Sequence, residues 1–354
     1  MDLSGILTGA AFTCLVVAPV TSLAGCTIAD SDTAALGLAH DPIPTLAATV
    51  LLPVVPVTIL PTPAAAPTLP SPTPAIQPTV PPTSAPSPVP SPTPEPPTAT
   101  PNPFAQINGV AFSAFAVMPP DVADHVGAIA ARGRELGRNP HAFSKLGDSG
   151  VLLESNLVRF DNGPVNLGPY AFLQPAVEHF AGSWARYGES ARVSLTTIGT
   201  FDPMWADPQA CAPGEHMLAC EIRLHNPAVL LIRLGTNDGS AERYSAYLRD
   251  IVRFAIDNGV IPVLGTKADR FEGDDSINAA TRALAAELRV PLWDFDVLAA
   301  TLPNRGLSSD GAHLSIYRNN DYTDPQALAH GYPVSDLSAL VMLDALRVIL
   351  LAGG

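Results

Sequence analysis

A serine hydroxyl becomes a useful nucleophile only when a base takes its proton and a third group orients that base. Ser149, His313 and Asp310 offer those three functions. Ser149 closes the run Phe143-Ser144-Lys145-Leu146-Gly147-Asp148-Ser149, and Asp310 precedes His313 by three residues in Asp310-Gly311-Ala312-His313. In such a set His313 accepts the hydroxyl proton, while Asp310 accepts the other ring N–H and selects the tautomer. Attack on a carbonyl also requires donors aimed at the developing oxyanion. Asn237, in Gly235-Thr236-Asn237-Asp238, offers a side-chain amide, and Ser149 and Gly199 offer backbone N–H groups.

Each residue also has a bland reading. Ser149 can cap a helix, Asn237 can satisfy a turn, and an isolated histidine more often sits on a surface. Asp148 and Asp238 are expected to order their loops. A metal set of Asp148, Asp238, Asp310 and His313 has one histidine among carboxylates, a poor zinc site. Neither a metal nor an organic cofactor is expected. Lys267, Asp269 and Arg270 read as a salt-bridged loop rather than a substrate contact, Asp294 and Asp296 as local structure, and Trp205 equally as packing or pocket wall.

Hydrophobic patterning supplies the elements that must carry these groups. Residues 227–234 form an almost continuous apolar run, as expected of a strand covered on both faces. Strands are also expected at 142–146, ending at the serine, at 191–198, ending at Gly199, and at 260–264 and 290–295. Helical spacing appears at 121–136, 172–187, 241–258, 277–288 and 336–351. Residues 105–117 read as a leading strand or packed extension. Strands alternating with helices imply a parallel sheet between two helical layers, a three-layer α/β sandwich. Reactive groups in such sheets gather beyond the carboxyl ends of the strands, so the four candidates can share one rim.

Composition bounds the rest. Of 354 residues 38 are proline, most of them between positions 41 and 103, where Pro70-Ser-Pro-Thr-Pro74 recurs as Pro90-Ser-Pro-Thr-Pro94. That stretch favours an extended polyproline II tether, about 130 Å long between Pro61 and Pro103 at roughly 3.1 Å per residue, leaving 104–354 for one α/β domain. The net charge of −14 argues against nucleic acid, and no lysine or arginine precedes Arg132. An apolar segment at 6–24 ends in Leu23-Ala24-Gly25-Cys26, which resembles the lipobox of bacterial lipoproteins. That resemblance implies cleavage after residue 25 and a lipid on Cys26, although Met1-Asp2-Leu3-Ser4 lacks the usual basic residue. The expected organisation is therefore a signal peptide at 1–25, a tether at 26–103 and a catalytic domain at 104–354. In an exported protein Cys211 and Cys220, flanking a short turn-rich loop, are expected to form a disulfide.

The runs ending at Ser149, spanning Asn237 and ending at His313 resemble, in this order, the first, third and fifth blocks of the SGNH hydrolase superfamily, the GDSL-like esterases and lipases. Gly150 departs from the pattern, standing where an apolar residue is common. The second block's glycine is taken as Gly199, with Gly163 and Gly168 as alternatives. The resemblance implies a five-stranded parallel sheet between helices. It also implies Ser149 as nucleophile, His313 as base, Asp310 as its orienter, and Ser149, Gly199 and Asn237 as the oxyanion hole. The resulting expectation is an extracytoplasmic, monomeric serine esterase for carboxylic esters, touching a membrane only through a lipid at Cys26. Acyl groups on polysaccharide, cell-wall glycan or lipid are the expected targets. An acyltransferase using the same site, or a stalked binding module with a vestigial triad, are the competing readings.

Overall fold

The computed structural model describes residues 105–152 and 155–352. The signal segment, Cys26 and the proline-rich tether lie outside the described residues.

The apolar run after Asn226 becomes an inner strand of a five-stranded sheet, paired on both edges. Its strands are β1 (Ala116–Val117), β2 (Asn139–Gly147), β3 (Pro227–Arg233), β4 (Ile261–Gly265) and β5 (Leu292–Trp293). Their spatial order is β1-β5-β4-β3-β2. The pairs β2–β3, β3–β4 and β4–β5 are parallel, while the short edge strand β1 runs antiparallel to β5.

Alternation along β3 sorts the two helical layers. Val229 and Leu231 face one core, with Val126 and Ile129 of α1 (Pro120–Glu135), Ala176 of α3 (Gln174–His179) and Leu337 and Leu340 of α8 (Gly331–Ala352). Leu230 and Ile232 face the other, with Leu218 and Ile222 of α4 (Met217–His225), Leu248 and Ile251 of α5 (Ala241–Asp257) and Ile277 and Leu284 of α6 (Ser276–Leu288). The period-two pleat thus delivers a double-sided core and a three-layer sandwich. Two further helices are short: α2 (Ser149–Leu152) and α7 (Phe295–Ala299).

Three expectations needed correction. The strand at 191–198 is one bridge, Gly147 to Ala191; beyond it Ser194 turns to φ +60° and Val193 is exposed, so the chain leaves the sheet. The fifth strand is instead β1, antiparallel to β5, so the sheet is mixed rather than wholly parallel; the start of that segment folds as a small hairpin, Gln106–Ile107 against Val110–Ala111. The helix at 172–187 is reduced to Gln174–His179, because Gly182 adopts φ +87°, a conformation that glycine tolerates and a helix does not use.

Helix α8 begins five residues earlier than its periodicity suggested, with Pro333 in its first turn where the missing N–H is harmless. Its first half is buried throughout, including Asp336, which pairs with buried Arg159 at 2.8 Å and accepts the Leu157 N–H at 2.9 Å. A buried charge is tolerable only when paired in this way. No described helix is long and apolar enough to cross a membrane. Cys211 and Cys220 are joined as a disulfide, with an S–S distance of 2.09 Å, so neither sulfur is free to ligate a metal.

Candidate active site

Ser149 stands two residues past the end of β2, at the first position of α2. The turn is built from its neighbours. Asp148 accepts the Gly150 N–H on Oδ1 at 2.9 Å and the Val151 N–H on its carbonyl at 3.1 Å, which starts the helix at once. Gly147 has no room for a side chain: a Cβ there would strike Val151 and lie 2.7 Å from the Arg233 carbonyl oxygen. Its N–H and C=O reach across to the 190–192 segment, to the Ser190 carbonyl at 3.3 Å and from the Arg192 N–H at 3.1 Å. The serine turn is therefore held from both sides.

His313 comes from a compact loop between α7 and α8. The Ser308 N–H donates to the His313 carbonyl at 2.8 Å, Gly311 turns at φ +71°, and Leu307 bridges to Leu314. Within it Asp310 accepts four hydrogen bonds. Oδ1 takes the Ser308 hydroxyl at 2.7 Å, the Ala312 N–H at 2.9 Å and the His313 N–H at 3.0 Å; Oδ2 faces His313 Nδ1 at 2.7 Å. These donors, the imidazole first, hold the Asp310 carboxyl well below the usual carboxylate range. The other ring nitrogen, Nε2, lies 2.9 Å from Ser149 Oγ. With Nδ1 protonated toward the carboxylate, Nε2 is left as acceptor for the serine proton.

Tyr332 was not singled out by sequence reasoning, yet it ties the two halves together. Its hydroxyl donates to the Gly150 carbonyl at 2.9 Å, and its N–H donates to the Ser315 carbonyl at 3.0 Å. The first turn of α8 thereby grips both the serine turn and the histidine loop. Only Tyr332's place ahead of an apolar helix could have hinted at this.

The proposed oxyanion donors are distributed unevenly. The Ser149 N–H has no acceptor among the described residues. Asn237 donates its side-chain amide to the Leu195 carbonyl at 3.3 Å and weakly to Asp148 Oδ2 at 3.4 Å. Gly199 lies in a 3-10 turn, its N–H given to the Thr196 carbonyl at 3.1 Å and its Cα packed beside Trp205. Gly163 lies at φ +111° in a surface turn and Gly168 is pressed against Thr323; neither of them, nor Gly199, nor Asn237 lines the cleft wall. Burial raises the pKa of Asp148 and of Asp238, and Asp238 orders the Leu195–Gly199 stretch through the Thr197 N–H and hydroxyl.

Between Ser149 and His313 opens a cleft of about 40 Å³, room for roughly three water molecules. Leu234, Phe295, Leu314 and Tyr332 narrow it. Lys267 also lines it, but its ammonium is saturated by Asp269 at 2.7 Å and Glu272 at 2.5 Å. Asp294 and Asp296 organise the neighbouring loops: Asp294 takes Thr266 and Arg282, and Asp296 takes Arg270, Arg282 and Arg305. Trp205 packs on Gly199 and takes no part in the cleft wall. Among the described residues no three of Asp148, Asp238, Asp310 and His313 converge within metal-ligand reach of one another.

No protein-family model and no curated protein sequence matches the chain. Solved structures with a similar course include a Desulfitobacterium hafniense DCB-2 protein assigned to the lipolytic G-D-S-L family, 14% identical over 57% of this chain and 98% of its own, with a TM-score of 0.35. A two-domain esterase active on acetylated mannans is 13% identical over 61% of this chain, with a TM-score of 0.35; this chain spans about half of it, 52%. A catalytic mutant of an acetylxylan esterase from Geobacillus stearothermophilus is 14% identical over 57% of this chain and 93% of its own, with a TM-score of 0.34.

Proposed function

We propose that this chain is a serine ester hydrolase acting through an acyl-enzyme. One observation carries the reading: Asp310, His313 and Ser149 form an unbroken hydrogen-bonded relay, 2.7 Å and then 2.9 Å, on a turn that presents the serine to a cleft. In the first half-reaction His313 Nε2 takes the Ser149 proton as Oγ attacks the ester carbonyl carbon. Asp310 stabilises the imidazolium so formed. Negative charge gathers on the carbonyl oxygen, where the Ser149 N–H and the Asn237 amide are the assigned donors; the Gly199 N–H would first have to leave Thr196. His313 then protonates the departing alcohol oxygen, and the acyl group stays on Ser149. Water, deprotonated by the same nitrogen, then attacks the acyl carbon; the bond from that carbon to Ser149 Oγ breaks, His313 returns the proton to Oγ, and the carboxylic acid leaves.

An exported location belongs to the same proposal, with a lipid at Cys26 and residues 26–103 as a tether. The lipobox-like ending and the Cys211–Cys220 disulfide, a feature of oxidising compartments, support it.

The test is hydrolysis of p-nitrophenyl acetate by the full chain beside Ser149→Ala and His313→Ala. Turnover by the parent, with both folded variants at background, is the expected outcome. A folded parent inert to this ester and to a fluorophosphonate would overturn the proposal.

A further inference from the structure

An ester has two halves, and the structure offers two unequal spaces beside Ser149. The first is the narrow cleft of about 40 Å³ described above. The second is an open groove of about 360 Å³, walled by Ala268, Arg270, Phe271, Arg305, Leu307 and Gly311. The two meet: Ala268 lines both, and Gly311 of the groove precedes Ala312 of the cleft in the catalytic loop.

Resting on the hydrolase reading, we infer that this groove is the subsite for the alcohol half of the ester, and that it takes an uncharged, hydroxyl-rich ring. Three features lead there. His313 must protonate the departing oxygen, and the groove is built on the His313 loop itself, from Leu307 to Gly311. The alcohol half therefore leaves on that side, while the small cleft admits an acyl group of only a few heavy atoms.

Phe271 is the second feature. It is 59% exposed at the groove wall, an aromatic face left to water beside Leu307, with the buried Ala268 at the groove floor. Such a face suits the C–H side of a ring.

The third is the state of the two arginines. Arg270 gives one terminal nitrogen to Asp296 and Asp275 and the other to the carbonyls of residues 267–269. Arg305 gives Nε to the Ala268 carbonyl at 2.9 Å and Nη2 to Asp296. Arg270 Nε and Arg305 Nη1 have no acceptor among the described residues, and neither is buried without a partner. Each guanidinium is thus fixed in place with an N–H still open to solvent. Asp275, Asp294 and Asp296 face Arg270, Arg282 and Arg305, so the charges cancel within the cluster. A site with fixed donors and no net positive charge suits hydroxyl oxygens better than a phosphate, sulfate or carboxylate. A fatty alcohol would leave both donors unused and desolvated.

The test compares 6-O-acetylglucose with ethyl acetate on the full chain and on Phe271→Ala and Phe271→Trp, with kcat and KM separated. The ratio of kcat/KM for the sugar ester over ethyl acetate should fall about tenfold in Phe271→Ala, mainly through KM, and recover in Phe271→Trp. In parallel, saturation-transfer NMR with methyl β-glucopyranoside should show contact to Ser149→Ala and lose it in Ser149→Ala/Phe271→Ala. Turnover of both esters with an unmoved ratio and no sugar contact overturns the groove but leaves the hydrolase. A parent inert to both esters, yet touching the glycoside through Phe271, keeps the groove and removes the hydrolase.

Discussion

Replacing Asp310 by asparagine keeps the shape of the relay and reverses one of its bonds. The asparagine carbonyl oxygen can take over the three donors now on Oδ1, from Ser308, Ala312 and His313, so the loop should hold. Its amide nitrogen, however, would face His313 Nδ1, now 2.7 Å from a carboxylate oxygen. Donation there drives the ring proton onto Nε2, 2.9 Å from Ser149 Oγ, and the base becomes a donor. In the serine proteases the corresponding change costs about 10⁴ in kcat. Here the side chains of His313 and Asp310 are 31% and 50% exposed, so water can relieve part of the mismatch. The expected loss is therefore about 10³, or about 4 kcal/mol of transition-state stabilisation. Measurement of kcat on p-nitrophenyl acetate, with circular dichroism to verify folding, decides the matter. A loss under tenfold, beside an inactive His313→Ala, would show that Asp310 merely orders its loop and that the relay argument is wrong.

Other expectations follow from the scaffold. Gly147→Ala should lower the melting temperature and the activity together, since the added methyl meets Val151 and the Arg233 backbone under the serine turn; a stable, active variant would contradict that packing. Glu221 is buried against Arg186, Ser144 and the Glu189 N–H, so Glu221→Ala should cost about 3–5 kcal/mol in urea denaturation by leaving these donors unpaired. Reducing Cys211–Cys220 should remove about 2–3 kcal/mol while leaving kcat in place, because the closed loop is short and lies outside the cleft wall. Burial lowers the Lys145 pKa from 10.5 to about 8. Between those values the unfolded chain holds more protons, so stability should rise with pH across that window, by about 3 kcal/mol. Lys145→Met should flatten the rise, as measured by urea denaturation at each end.

Much of this was readable in advance where a local pattern coincided with a structural need. The apolar run at 227–233 had to be a doubly covered strand, and the stripe of Tyr244, Leu248, Ile251, Val252 and Ala255 had to be a helix face. The spacing of Asp310 and His313 matched a turn that brings the two side chains together. What escaped depended on partners far along the chain. Val193 and Leu195 alternate as a strand would, but Gly147 meets only Ala191 before the chain turns away. Two residues make an edge strand at 116–117 because Trp293 and Leu292 await them, which no window of sequence displays. Tyr332's grip on Gly150 spans 182 positions, and Asp296 collects arginines from three separate segments.

The position of Tyr332 has a bearing on synthesis. Ser149 is translated long before His313, and the helix that clamps both is the last described element of the chain. While a nascent chain emerges, the sheet edge carrying the serine can form with β3 and β4 before α8 exists to cover Val229 and Leu231. That intermediate would expose an apolar sheet face and lack a working base. Activity would then appear only once α8 docks, and a chain truncated before Tyr332 would be both silent and prone to aggregate.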